Sequence, residues 1–211
     1  LRNLAAVTIL LATPAFAASL QLVALGDSLT AGYGLPPQEG LVPQLQAWLA
    51  AAGADVVVLN AGVSGDTTAG GLARLDWSLA GGADALMVAL GGNDLLRGLP
   101  PAQSRANLDA ILTDAGKRGL PVLLVGLPAP SNYGPEFKTE FDAIFPDLAA
   151  AYGTVMLPNL LAPIMDLPLQ TRSARALMQA DGLHPSAEGV KLVIAELGPK
   201  VLELLARVPP R

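Results

Sequence analysis

No cysteine occurs among the 211 residues. That removes disulfides, a thiolate nucleophile, a cysteine-based metal site and a lipid-bearing cysteine behind a leader peptide. Histidine is nearly as scarce, with His184 alone, so a metal centre would have to rest on scattered carboxylates. A metal-dependent hydrolase is therefore disfavoured, and neither metal nor cofactor is expected. Only 15% of residues are charged and the net charge is −5. Without a cluster of Lys or Arg the chain lacks the electrostatic footprint that holds a phosphate backbone, so no nucleic-acid partner is expected. A G-x-G-x-x-G turn after the first strand and a P-loop are both missing, which weighs against a nucleotide-binding module.

What the chain has in abundance is apolar residues, at 52%, in a length that suits one domain with a substantial core. The first seventeen residues differ from the rest. Arg2 forms a short basic start, Leu4 to Leu11 an apolar stretch, Pro14 interrupts it, and Ala15-Phe16-Ala17 reads as a small-residue cleavage site. The apolar stretch is shorter than the roughly 20 residues a bilayer span needs. Residues 1–17 are thus expected to be a signal peptide and 18–211 the folded domain, exported as a periplasmic or secreted monomer with no integral membrane span after cleavage.

Five short, Val-containing apolar runs, Leu20 to Leu25, Val56 to Leu59, Ala85 to Leu90, Val122 to Val125 and Thr154 to Leu157, are too short for helices and read as buried parallel strands. Helical patterns separate them. Leu41, Leu45, Trp48, Leu49 and Ala52 share a face before Gly53; another stretch runs from about Pro101 to Arg118 and stops at Gly119. A third is expected over about Glu136 to Tyr152, and the last is expected to begin at Pro185 as a first helical position. Such alternation predicts an α/β domain, a parallel sheet with helices on both faces.

In open parallel sheets, ligands bind beyond the C-terminal ends of the strands. Gly26-Asp27-Ser28-Leu29 follows the first run, Asn60-Ala61-Gly62 the second and Gly91-Gly92-Asn93-Asp94 the third, while Asp181-Gly182-Leu183-His184-Pro185 precedes the last helix. A serine hydroxyl needs a neighbouring base to take its proton, and a neutral imidazole does this best near neutral pH. Asp181, three residues before His184, is spaced to reach Nδ1 and leave Nε2 facing Ser28. Ser28 also suits a helix N-cap, and the two roles are compatible. Asp66 competes for the part of triad acid, but Asp181 beside the base is preferred. Asp27 and Asp94 read as supports for loop geometry.

In type, order and spacing these four segments resemble the blocks that define the GDSL/SGNH hydrolases, and the likeness runs from about Leu22 to Pro185. Asn60 to Thr67, Gly70 to Leu75 and Asn132-Tyr133-Gly134 narrow it to the branch of bacterial periplasmic thioesterases, lysophospholipases and arylesterases. The resemblance implies a three-layer α/β/α domain around a five-stranded flavodoxin-like parallel sheet. It implies hydrolysis of small acyl esters or thioesters through an acyl-enzyme on Ser28, with His184 and Asp181 completing a triad. The Gly62 backbone N–H and the Asn93 side-chain amide would then serve the oxyanion. Leu95, Leu96 and the stretch from Leu127 to Tyr133 are expected to line an acyl pocket. A carbohydrate acetyl esterase of the same fold is the alternative.

Overall fold

The computed structural model describes residues 19–210; the expected signal peptide lies outside them. Five strands, β1 (Leu20–Gly26), β2 (Val56–Gly62), β3 (Ala85–Ala89), β4 (Val122–Val125) and β5 (Val155–Leu157), form one sheet in the order β2-β1-β3-β4-β5. Every pairing is parallel. Between and after the strands come α1 (Ser28–Ala31), α2 (Leu41–Ala51), α3 (Thr68–Ala73), α4 (Leu75–Leu79), α5 (Gly92–Leu96), α6 (Pro101–Lys117), α7 (Pro135–Asp142), α8 (Ile144–Tyr152), α9 (Ala162–Met165), α10 (Leu169–Ala174) and α11 (Ala187–Leu205).

The strand runs are continuously apolar because successive side chains enter two different cores. Leu22 and Ala24 of β1, with Met87 of β3 and Leu123 of β4, pack under α2 and α11. Their alternates Val23, Leu25, Leu86, Val88 and Leu124 pack on the other face against α6, α7 and α8. The edge strand β2 behaves differently. Val56 and Val58 are buried, while Val57 and Leu59 remain exposed on the face that no helix covers.

Three local expectations change. The single helix expected over Glu136 to Tyr152 is two helices that break at Ala143. Pro146 explains the break: it has no N–H to offer the Asp142 carbonyl, and its ring crowds that oxygen. The last helix starts two residues after Pro185, with Ser186 as its cap, the hydroxyl accepting from the Gly189 N–H at 3.1 Å. Pro185 instead forms an antiparallel bridge with Met178. Finally, β2 runs on to Gly62 because it pairs residue for residue with β1, Leu20 with Val56 through Gly26 with Gly62. Among the described residues, no helix is long and apolar enough to cross a membrane.

Candidate active site

The strand order reverses direction at β1, since β2 lies on one side of it and β3 on the other. Loops leaving β1 and β3 therefore diverge and open a crevice at their C-terminal ends. Ser28 leaves β1 there and Asn93 leaves β3. The cap of α1 is Asp27, whose Oδ1 accepts the Leu29 N–H at 3.0 Å, and Ser28 occupies the first helical position. The side chain of Ser28 is thereby free for other bonds.

Ser28 Oγ lies 2.8 Å from His184 Nε2, and His184 Nδ1 lies 2.6 Å from Asp181 Oδ2. The second carboxylate oxygen of Asp181 accepts the backbone N–H groups of Leu183 at 2.9 Å and His184 at 3.0 Å. These bonds, led by the one to the imidazole, hold the Asp181 carboxyl down at about 2, so it stays ionised at any ordinary pH. An anion at Nδ1 selects the tautomer protonated there, leaving the lone pair of Nε2 to accept the Ser28 hydroxyl proton. The Tyr33 ring lies against the imidazole, with centroids 4.8 Å apart.

Asp27 and Asp94, adjacent in chain to the two candidate reacting groups, turn out to have distinct supporting positions. Asp27 is 3% exposed, and its Oδ2 faces Asn93 Nδ2 at 3.4 Å. A carboxylate oxygen there requires the nitrogen of the amide on that side and so sets which way Asn93 is turned. Burial, partly opposed by the Leu29 N–H, by the charge of His184 and by Asn93, pushes the Asp27 carboxyl up to about 6. Asp94 is the hub of a buried network. It accepts from the Thr68 N–H at 2.8 Å, the Thr68 hydroxyl at 2.6 Å and the Ser104 hydroxyl at 2.8 Å, while Asn107 donates to Thr68 Oγ1 at 3.0 Å. The network joins α3, α5 and α6 behind the crevice.

Gly62 does not hold the position expected for it. It is the last residue of β2, its N–H is already bonded to Asn60 Oδ1 at 2.9 Å, and it does not line the crevice. Its lack of a side chain serves packing, since a Cβ would lie 2.3 Å from the backbone N of Ala31. Three residues on, Gly65 does line the crevice beside Ser28, and its N–H makes no hydrogen bond to another described residue. The Gly65 carbonyl is held by Arg97 Nη2 at 2.7 Å. Asp66 pairs with Arg74 at 2.6 Å, and Arg74 also donates to the Gly26 carbonyl at 2.9 Å. Asp66 is therefore engaged in bracing the end of β1 and stands apart from the His184 imidazole.

The cleft measures about 600 Å³ and is lined by Ser28, Asn93, His184 and a mainly apolar wall that includes Leu95, Leu96, Leu127, Tyr133 and Leu161. All three leucines expected from the sequence are there. Beneath Ser28, between Leu41, Leu160, Val190 and Val193, only about 10 Å³ remains, about the room one water needs. Free volume thus lies on the Leu95 and Leu127 side of Ser28 and not under α11.

Known proteins agree with this architecture. Residues 24–192 match the GDSL-like lipase/acylhydrolase family. The esterase TesA of Pseudomonas aeruginosa is 40% identical over 190 residues, covering 90% of this chain and 91% of the relative. The thioesterase 1/protease 1/lysophospholipase L1 of Escherichia coli K12 is 36% identical over 82% of this chain and 78% of its own. A crystal structure of TesA superposes with a TM-score of 0.78 at 38% identity, covering 87% of this chain and 99% of that one. Fold and relatives together define a serine ester hydrolase of the three-layer α/β/α kind. The chain belongs to the GDSL-like lipase/acylhydrolase family.

The environment of Asp27 has a consequence for stability. Its folded value, about 6, lies above the usual carboxylate range near 4, so between these pH values the folded state holds the extra proton. Stability from this group must then fall as pH rises from about 4 to 6. Asp27→Asn should flatten that part of the pH dependence, read as the difference between variant and wild type in urea unfolding at pH 4 and pH 7. An unchanged difference between the two pH values would show that Asp27 ionises normally.

Proposed function

We propose that the enzyme cleaves small acyl esters and thioesters through a covalent acyl-enzyme on Ser28. The observation that carries this is the unbroken series Asp181 to His184 to Ser28, with contacts of 2.6 and 2.8 Å. In the first half-reaction the Ser28 hydroxyl proton passes to His184 Nε2 as Oγ bonds to the substrate carbonyl carbon. The carbonyl π electrons move onto oxygen. When that oxyanion collapses, the bond to the leaving alcohol or thiol breaks, and His184 returns the proton to it. Water then repeats both steps on the acyl-enzyme, releasing the acid and restoring Ser28. Asp181 stays anionic throughout and stabilises the transient imidazolium.

Oxyanion stabilisation falls in this proposal to the Asn93 amide and to the Gly65 N–H, the latter in place of Gly62. Both groups border the cleft beside Ser28, and donors fixed before reaction cost no reorganisation when charge develops. The apolar wall of Leu95, Leu96 and Leu127 takes the acyl chain. The relatives' names, an esterase and a thioesterase/lysophospholipase, support a substrate with a single acyl chain and a variable leaving group.

Ser28→Ala should fold normally and lose activity on p-nitrophenyl esters by a factor on the order of 10⁴ or more. A fluorophosphonate should label wild type once, at Ser28, and leave the variant unlabelled. Near-normal turnover in Ser28→Ala would remove the mechanism. Asn93→Ala should lower kcat by roughly 10² to 10³ with a smaller change in KM, because the amide acts chiefly once charge has formed; a rise in KM alone would make Asn93 a substrate-binding group. The site is also proposed to work outside the cytoplasm, on the strength of the leader-like segment ending at Ala17. N-terminal sequencing of protein recovered from the periplasm or medium should then begin near Ala18, and an exported form beginning at Leu1 would overturn the assignment.

A further inference from the structure

Gln179 lies outside the motifs that mark the site in the sequence and does not line the cleft. It nevertheless bonds to the backbone carbonyls of His184 and Pro185 and of Tyr33, which follows the short helix that Ser28 begins. Its Nε2 donates to the Tyr33 carbonyl at 2.8 Å and to the Pro185 carbonyl at 3.0 Å, and its backbone N–H donates to the His184 carbonyl at 2.8 Å. Tyr33 follows α1, the helix that Ser28 begins; Pro185 follows His184. One carboxamide thus reaches across 146 residues of chain to Tyr33 while it holds Pro185. The contact is built from both sides. Gly34 has φ +75, which favours glycine, and a Cβ there would sit 2.2 Å from Gln179 Oε1, so a side chain at 34 would be strained and would displace the Gln179 carboxamide.

We propose that Gln179 is a positioning residue for the reaction, a latch that holds the His184 imidazole in register with Ser28; this rests on the assignment of those two residues as base and nucleophile. Asp181 restrains the ring at Nδ1, and its other bonds and the Met178–Pro185 bridge hold the loop to itself, but these leave rotation about the Nδ1 bond and shift of the loop relative to Tyr33. The latch limits both. It fastens the backbone on either side of Gln179 and His184, and by gripping the Tyr33 carbonyl it sets the Tyr33 ring, 4.8 Å from the imidazole, as a stop on one face. Gln179 is not needed to attach the two regions in general, because Gln44 of α2 separately donates to the Ala187 carbonyl at the start of α11, at 3.1 Å. Loss of the latch should therefore loosen local geometry more than it unfolds the chain. A misplacement near 1 Å in a reacting pair costs about 10² in rate.

The test uses two replacements of similar size. Gln179→Met keeps the length and loses both side-chain N–H groups. Gln179→Glu also loses them and, when ionised, sets a negative charge against two carbonyl oxygens. For the Met variant the expected result is a kcat about 10 to 100-fold lower on a short p-nitrophenyl ester, with KM within about twofold. Fluorophosphonate labelling, which reads nucleophile activation without substrate binding, should slow by the same factor. The Glu variant should be worse at neutral pH, and its kcat/KM relative to wild type should rise as pH falls toward the ordinary glutamate range near 4, because the protonated acid regains one donor. The same ratio for the Met variant should stay flat. His184→Ala and Ser28→Ala serve as controls: if either retains turnover, the assignment of base and nucleophile falls independently of Gln179. If both controls are inactive, a Met variant with wild-type kcat and labelling rate overturns the latch alone, as does a change confined to KM. Should the Met variant fail to fold, the Glu variant decides, and a pH-independent ratio overturns the proposal.

Discussion

A single hydrogen bond, 2.8 Å between Ser28 and His184 across 156 residues of chain, sets the demand that the rest of the structure meets. One partner stands at the end of the first strand and the other just before the last helix. Bringing them together requires a frame in which the chain's two ends meet at one edge. The parallel sheet supplies it: β1 is an interior strand, its C-terminal end opens at the point where strand order reverses, and α11 packs beside α2 and against β4 and β5 in the core they share. Two apolar cores, one on each face, make that frame stiff, since close-packed interiors yield little to local forces.

Three aspartates near the site show how environment divides labour among chemically identical groups. Asp181 remains accessible at the surface, accepts from an imidazole and two backbone N–H groups, and is held anionic. Asp27 is buried with fewer donors and binds its proton more tightly, while it turns the Asn93 amide. Asp94 is buried and fully engaged with Thr68 and Ser104, fastening the loop after β3 to α3 and α6. Each oxygen satisfied inside the protein avoids the roughly 1–3 kcal/mol that an orphaned buried polar group costs. These supports explain why a cleft bounded largely by loops can present its polar groups in fixed positions.

Much of this was legible in the residues. Continuous Val-containing runs marked all five strands; in β1, β3 and β4 this is because strands buried on both faces carry no polar alternation to blur them. Ser28 and Asn93 stood out because they follow strand ends, and Asp181 and His184 because they precede the last helix, with residue types that fit a single chemistry. The helix break at Ala143 was also encoded, in Pro146, but the apolar pattern on either side of it hid the signal. Gly62 was read as a loop residue where the strand in fact continues. Pairing partners fix the length of an edge strand, and a linear pattern contains no partners.

What the sequence determined by itself was therefore local and chemical: which segments are the strands and the longer helices, that cysteine chemistry is absent from the residue supply, and which four side chains suit acyl transfer. Those properties follow from periodicity, backbone preference and functional groups, which a chain carries with it before it folds. Only the tertiary structure decided that Gly65 and not Gly62 borders the cleft, that Asp66 braces Arg74, and that Gln179 reaches Tyr33 across 146 residues. Each of these is a distance between groups remote in sequence. Such distances are set by sheet register and by packing against both cores, which depend on all the elements at once.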